Sequence, residues 1–257
     1  MTWKTRPRSE FSPLAAIRTP DPPQVVLIHG VGLRAEAWGA QLNALGGVPY
    51  AAVDLPGHGD SPLTEDIVSL QDYADAVVAA LDRPVCLAGH SMGALIALDI
   101  AIRYPGRVRA VLALNTVFQR DAQAARAVQA RAEALDGASP ADPSNTLTRW
   151  FGDQPSAERT ACEAWLRDID PRAYQRAYRI FAHENGPDPQ LLAQLSCPIF
   201  CVTGADEPNS TPAMSQRLAE IAPQGRARVI EGAAHMLPMT HADPVNHILH
   251  AMLREVS

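Results

Sequence analysis

From Gln24 onward, short apolar runs rich in β-branched residues alternate with longer amphipathic stretches. Strand-length runs that keep changing places with helix-length ones predict parallel strands joined by crossover helices. The candidate strands are Val25–Ile28, Ala51–Asp54, Val85–Ala88, Ala110–Leu114, Ile199–Val202 and Arg228–Ile230. Most are almost uninterrupted hydrophobic runs, as required of central strands covered by helices on both faces. The predicted fold class is α/β, a doubly wound and mostly parallel sheet. A chain of 257 residues is long enough to bury about three quarters of its unfolded surface around such a sheet.

Composition narrows the partners. Apolar residues make up 47% and charged residues 19%, which excludes a disordered chain. With 22 Lys+Arg against 28 Asp+Glu the net charge is −6, and no basic run is present, so nucleic acid is not an expected partner. The longest apolar stretch, residues 94–102, is interrupted by Asp99 and is far shorter than the roughly 20 residues that cross a bilayer. Residues 1–10 carry basic side chains with no apolar segment behind them, so no secretory signal is expected and the cytoplasm is the expected location. Cys86, Cys162, Cys197 and Cys201 lack C-x-x-C spacing and are expected to be buried thiols.

About 80 residues between Leu114 and Ile199 hold helical signals and no convincing strand. Asp170-Pro171 supplies an N-cap and an N1 proline ahead of Tyr174, Tyr178 and Phe181, which recur on one helix face. Breakers at Gly137, Pro140, Pro143, Gly152, Pro155 and Gly186 cut the segment into three or four expected helices. The expected division is a core formed by residues 1–118 and 196–257, with a helical cap over 119–195. The aromatic stripe serves equally as packing for that cap or as the ceiling of a pocket.

Gly89-His90-Ser91-Met92-Gly93 stands directly after a predicted strand and before a predicted helix, the context of a nucleophile elbow. A serine in so sharp a turn adopts a strained backbone, and side chains two residues to either side of it would collide with the neighbouring strand and helix. Glycine at both places removes the collision. The helix N-terminus behind Ser91 also offers free N–H groups to a developing negative charge. A serine hydroxyl needs a base, and the base an orienting carboxylate. Of eight histidines, His235 lies in a small-residue loop past the last strand, at the sheet edge where Ser91 would emerge. His241, His247 and His250 follow in or near a C-terminal helix without carboxylate or Cys partners at ligand spacing, so no metal is expected. Asp206 and Glu207 sit side by side after the preceding strand, and either completes the order Ser, acid, His.

These residues together resemble the α/β-hydrolase superfamily, from about Pro23 to the C-terminal helix. His29-Gly30-Val31-Gly32 resembles its oxyanion loop, residues 54–61 (DLPGHGDS) its D-x-P-G-x-G-x-S turn, and Gly232-Ala233-Ala234-His235 its histidine loop. The resemblance implies a cap between the sixth and seventh strands, Ser91 as nucleophile, His235 as base, and the N–H groups of Val31 and Met92 as oxyanion hole. Aligning Gly204 and Pro208 with the family's G-x-x-D-P puts Glu207 in the acid's place, with Asp206 as the alternative. Asp54 and His58 fall at positions that usually serve structure. Relatives carry an antiparallel hairpin before Pro23, but here Pro7, Pro13 and Pro20 blur any strand pattern.

The implied activity is a serine hydrolase of the carboxylic ester class that cleaves a small-molecule ester or lactone through an acyl-enzyme, without a cofactor. The closest resemblance is to the enol-lactonase and carboxylesterase group. C–C bond hydrolases of ring-cleavage pathways and hydrolase-fold ligand receptors share the constellation and stand as alternatives. In the cap, Trp150 and Tyr178 are expected to contact substrate, with Phe151, Trp165, Tyr174 and Phe181 as further apolar candidates. Arg149, Arg172, Arg176 or Arg179 could receive a substrate carboxylate. Residues 30–35 (GVGLRA), with Asp54 about 20 residues on, also read as a dinucleotide fingerprint, a rival the elbow does not require.

Overall fold

The structure is a computed structural model that describes residues 3–256. Its strands are β1 Ser9–Phe11, β2 Leu14–Arg18, β3 Val25–Ile28, β4 Tyr50–Val53, β5 Val85–His90, β6 Val108–Leu114, β7 Ile199–Gly204 and β8 Gly225–Ile230. They form one sheet in the order β1-β2-β4-β3-β5-β6-β7-β8. β1 and β2 pair antiparallel, β2 lies antiparallel to β4, and every other pairing is parallel. The predicted doubly wound sheet is therefore the observed one.

Several strands run past the ends of their apolar sequence. β5 extends through Gly89 and His90 because β6 offers Ala113 and Leu114 as ladder partners, and β8 begins at Gly225 because β7 pairs with it from Ile199. A strand continues where a neighbour satisfies its backbone, whatever the side chains. β1 and β2 are the hairpin that the prolines obscured: Pro13 occupies the turn, and Pro7 and Pro20 lie outside both strands.

The helices are α1 Gly39–Ala44, α2 Leu70–Ala79, α3 Met92–Arg103, α4 Ala122–Glu133, α5 Ser144–Phe151, α6 Ala157–Asp168, α7 Pro171–His183, α8 Pro189–Leu192, α9 Pro212–Ile221, α10 Leu237–Thr240 and α11 Ala242–Glu255. Period-two alternation assigns each strand's residues to two cores. Val26 and Ile28 pack with α2, α3 and α9, while Val25 and Leu27 pack with α1 and α11. Each central strand residue is thus buried from both sides, the usual source of stability in a sheet of this kind. The four cysteines are free and buried. None of the helices is long and apolar enough to cross a membrane among the described residues.

Between β6 and β7 the chain forms five helices, α4 to α8, where three or four were expected. The additional one is the single turn of α8, whose start is marked by Asp188 accepting from Gln190 N and by Pro189. α7 begins as predicted, with the Asp170 carboxylate accepting from the amides of Arg172 and Ala173 at 2.8 and 3.2 Å. The chain order reverses between β3 and β5: β4 lies on one side of β3 and β5 on the other. Their carboxyl ends therefore open a crevice, the place where such sheets hold ligands.

Candidate active site

Ser91 follows β5 at the edge of that crevice and precedes the first residue of α3, with φ 57° and ψ −118°. So strained a backbone at a non-glycine residue costs about 1–3 kcal/mol and persists only when the surroundings impose it. The surroundings are visible at the two glycines. A Cβ on Gly89 would lie 2.2 Å from the carbonyl oxygen of Gly93, and one on Gly93 would lie 2.1 Å from that of Ile28. The collisions anticipated from the spacing are thus real, and both involve backbone that cannot move aside.

His235, in the loop between β8 and α10, lies in the same cavity as Ser91. Its Nδ1 is 2.7 Å from Oε2 of Glu207. The other carboxylate oxygen of Glu207 accepts from the amides of Asn209 and Ser210 at 2.7 and 3.2 Å. Burial pushes the Glu207 carboxyl up, but His235 and these amides outweigh it and hold the group below its ordinary value. Of the two adjacent acids, Glu207 is the one that contacts His235. Asp206 is exposed, with its amide bonded to the carbonyl of Ala233.

The carbonyl of His235 is gripped from behind. Asn115 Nδ2 donates to it at 2.6 Å, and His90 Nε2 donates at 2.8 Å. Asn115 Oδ1 in turn accepts from Thr203 Oγ1 and Gly204 N at 3.1 and 3.2 Å, tying the histidine loop to the ends of β6 and β7. In front, the Trp150 indole stacks on the imidazole, with ring centroids 5.3 Å apart and planes 21° from parallel. Sequence reasoning gave no role to Asn115, or to His90 within the elbow itself, since no local pattern marks a contact with a carbonyl more than 100 residues away.

Val31 and Ser91 both line the cavity, and Met92 follows Ser91 as the first residue of α3. A first helical residue has no intrahelical acceptor for its N–H. The loop that carries Val31 is held by two histidines. His58 Nε2 accepts from Gly32 N at 3.1 Å while its Nδ1 donates to Pro56 O, and His29 Nε2 accepts from Leu55 N at 3.1 Å while its Nδ1 donates to Gly30 O. These bonds assign the neutral tautomer to both rings. Burial lowers His29 to about 4, with a smaller contribution from Arg8 and Arg34, and His58 to about 3, with a smaller contribution from the neighbouring His29 ring.

Asp54 has a structural partner set instead of a nucleotide ribose. Its carboxylate is fully buried and accepts from Arg8 Nε at 2.6 Å, Ala35 N at 2.8 Å and Asp60 N at 3.0 Å. Arg8 reaches across from the N-terminal segment and also meets Glu36 at 2.6 Å. That segment, unassigned by its sequence, supplies the counter-ion for two buried acids.

The cavity over Ser91 measures about 130 Å³. Trp150 and Tyr178 line it, together with Tyr174 and Phe181. Trp165 lies at a separate cavity, and Phe151 packs into the small core of α5 and α6. Of the arginines weighed, Arg149 is present. Arg172 lies at the other cavity, Arg179 is exposed, and Arg176 is bonded to Thr64 O and Glu65. Arg120 and Arg131 line the site instead, unnoticed in the sequence because helix faces alone do not say which arginines turn inward. Among the described residues no cluster of His, Cys, Asp and Glu could hold a metal.

The chain is similar to known proteins. A family model described as the alpha/beta hydrolase family matches residues 25–248. The (E)-2-((N-methylformamido)methylene)succinate hydrolase of Acinetobacter baylyi is 38% identical over 237 residues, covering 89% of this chain and 89% of its own. A pimeloyl-acyl-carrier-protein methyl ester esterase of Neisseria meningitidis is 31% identical over 234 residues, covering 86% of this chain and 89% of its own. A thermophilic esterase from Thermogutta terrifontis, solved with malate bound, superposes with a TM-score of 0.83 at 25% identity, over 95% of this chain and 93% of that one. With its elbow, its histidine loop and its mostly parallel sheet, the chain belongs to the alpha/beta hydrolase family.

Proposed function

We propose that this hydrolase is a serine enzyme that cleaves a carboxylic ester or lactone by acyl transfer. The observation that carries the reading is the 2.7 Å contact between His235 Nδ1 and Glu207 Oε2 behind a serine in a strained elbow. Glu207 holds the Nδ1–H tautomer, which leaves Nε2 as the base for the Ser91 hydroxyl. Ser91 attacks the carbonyl, the N–H groups of Val31 and Met92 receive the oxyanion, and His235 returns the proton to the leaving alkoxide. Water then repeats the attack on the acyl-enzyme and releases the acid. Each oxyanion donor of this kind contributes about 3 kcal/mol. The α4 to α8 segment acts as a cap, with Trp150 and Tyr178 against the substrate and residues 119–195 as its extent.

The same groups serve an amide. The 38% identical relative acts on a substituted formamide, so acyl transfer from nitrogen is the second reading. The test is hydrolysis of p-nitrophenyl esters from acetate to decanoate, beside an N-formyl amide, with the Ser91→Ala protein as control. The small cavity leads us to expect short acyl chains to be preferred and turnover to vanish in the variant. Equal activity in Ser91→Ala would sink the proposal.

A further inference from the structure

Three guanidinium groups, Arg120, Arg131 and Arg149, line the cavity over Ser91, and among the described residues no Asp or Glu lines it. Three positive charges around a cavity of about 130 Å³ repel one another unless something anionic enters. Their hydrogen-bond acceptors inside the protein are neutral. Arg131 Nε donates to Tyr178 Oη at 3.2 Å and Arg149 Nη2 to Thr146 Oγ1 at 2.9 Å. Arg120 Nη1 donates to the backbone carbonyl of Glu184, and its guanidinium lies 4.8 Å from the centroid of the Phe181 ring.

Arg120 shows the imbalance most clearly. Its Nη2 is buried and has no acceptor. Burial, reinforced by Arg131 and only partly offset by Tyr178 and the Glu184 carboxylate, pulls its affinity for a proton down to about 10. A charged donor left without a partner in a low-dielectric site is costly, and such sites are usually completed by a ligand. The acids nearest in the outer cleft, Asp136 and Asp142, are spent on their own turns, accepting from Ala138 and Ser139 and from Ser144.

Resting on the serine-hydrolase reading, we propose that the substrate is the ester or amide of a small acid bearing at least one further carboxylate, which Arg120, Arg131 and Arg149 bind across the cavity from Ser91. The planar forks of arginine match a carboxylate through paired hydrogen bonds, and the aromatic walls of Trp150, Tyr174 and Tyr178 cover the carbon skeleton between the two ends. The arginines then serve selection: a neutral acyl chain of the same length leaves them unpaired.

The experiment has two arms. In the first, ethanol release from monoethyl succinate and from ethyl pentanoate is compared for the native protein, Arg149→Gln and Arg120→Gln. We expect kcat/KM to favour the acidic ester at least tenfold, and the ratio to collapse by about tenfold to a hundredfold in each variant, mainly through KM for the acidic ester. In the second arm, succinate and inorganic phosphate are titrated calorimetrically into the Ser91→Ala protein with and without Arg149→Gln, which needs no turnover. Succinate binding that the arginine variant weakens tenfold supports the proposal even if neither ester is cleaved, a result that would fault only the bond assignment. A preference for ethyl pentanoate, phosphate binding more tightly than succinate, or succinate binding that ignores Arg149 overturns it. Arg149 makes one side-chain hydrogen bond and lies at the cavity edge, so its variant tests the idea even where Arg120→Gln fails to fold.

Discussion

Lowering the pH from 7 to 5 should destabilise this fold severely through three histidines that are buried in neutral form. His29, His58 and His90 are each at most 2% exposed, and burial lowers them from 6.5 to about 4, 3 and 3. For His29 and His58 the cause is visible in the bonding: a proton on Nε2 would face the amide N–H of Leu55 or Gly32. In the unfolded chain all three titrate near 6.5, so below that pH the unfolded state takes up protons that the folded state refuses. Stability is thus intact above about 7 and falls with pH until the folded values are reached. Each unit of separation is worth about 1.36 kcal/mol, so at pH 5 each histidine costs about 2 kcal/mol and the three together about 5–6 kcal/mol. That is a large part of the 5–15 kcal/mol that typically holds a domain together. Glu36, held at about 2 by its arginine partners against the cost of burial, does not enter, because its contribution is lost only below its unfolded value of 4.5. Urea unfolding followed by tryptophan fluorescence at half-unit intervals from pH 7 to 5 measures the effect. Near pH 5.5 the slope should approach three protons, and His90→Gln, which keeps a donor for the His235 carbonyl, should reduce it by about one. A free energy of unfolding that changes by less than 1 kcal/mol over this range, or an unchanged slope in His90→Gln, would refute the reasoning.

Glu207→Gln should lower kcat by about a thousandfold or more by losing the tautomer and charge that support His235, while the exposed neighbour Asp206→Asn stays within twofold. Steady-state rates on the best ester found decide between them, and a comparable loss in both variants would return the acid to dispute. Arg8→Ala leaves Asp54, at 0% exposure, without its cation, and Glu36, at 2%, with Arg34 alone. The expected loss is about 3–5 kcal/mol in urea unfolding at pH 7, and a loss under 1 kcal/mol would show that Arg34 and water replace it.

The sheet, the elbow and the histidine loop were legible in the chain because each rests on a local rule. Apolar runs of strand length mark buried strands wherever they occur, and Gly89 and Gly93 are required by collisions with backbone a few residues or one strand away. Strand ends were less legible, since β5 and β8 extend only because a neighbour supplies the ladder. What the sequence left open has a common character: it depends on which side of an element faces which distant partner. Asp206 and Glu207 are adjacent and carry the same chemistry, yet only the turn's orientation in the folded chain turns Glu207 toward His235, 28 residues on. Arg8 becomes the counter-ion of Asp54 across 46 residues, and Asn115 reaches the His235 carbonyl across 120. Arg120, Arg131 and Arg149 are three of the chain's 22 basic residues, and only the packing of the helices between β6 and β7 turns them onto one cavity. Local sterics and hydrophobic periodicity are written in neighbouring residues, whereas charge pairing acts through space and acquires its partners only when tertiary packing brings them together.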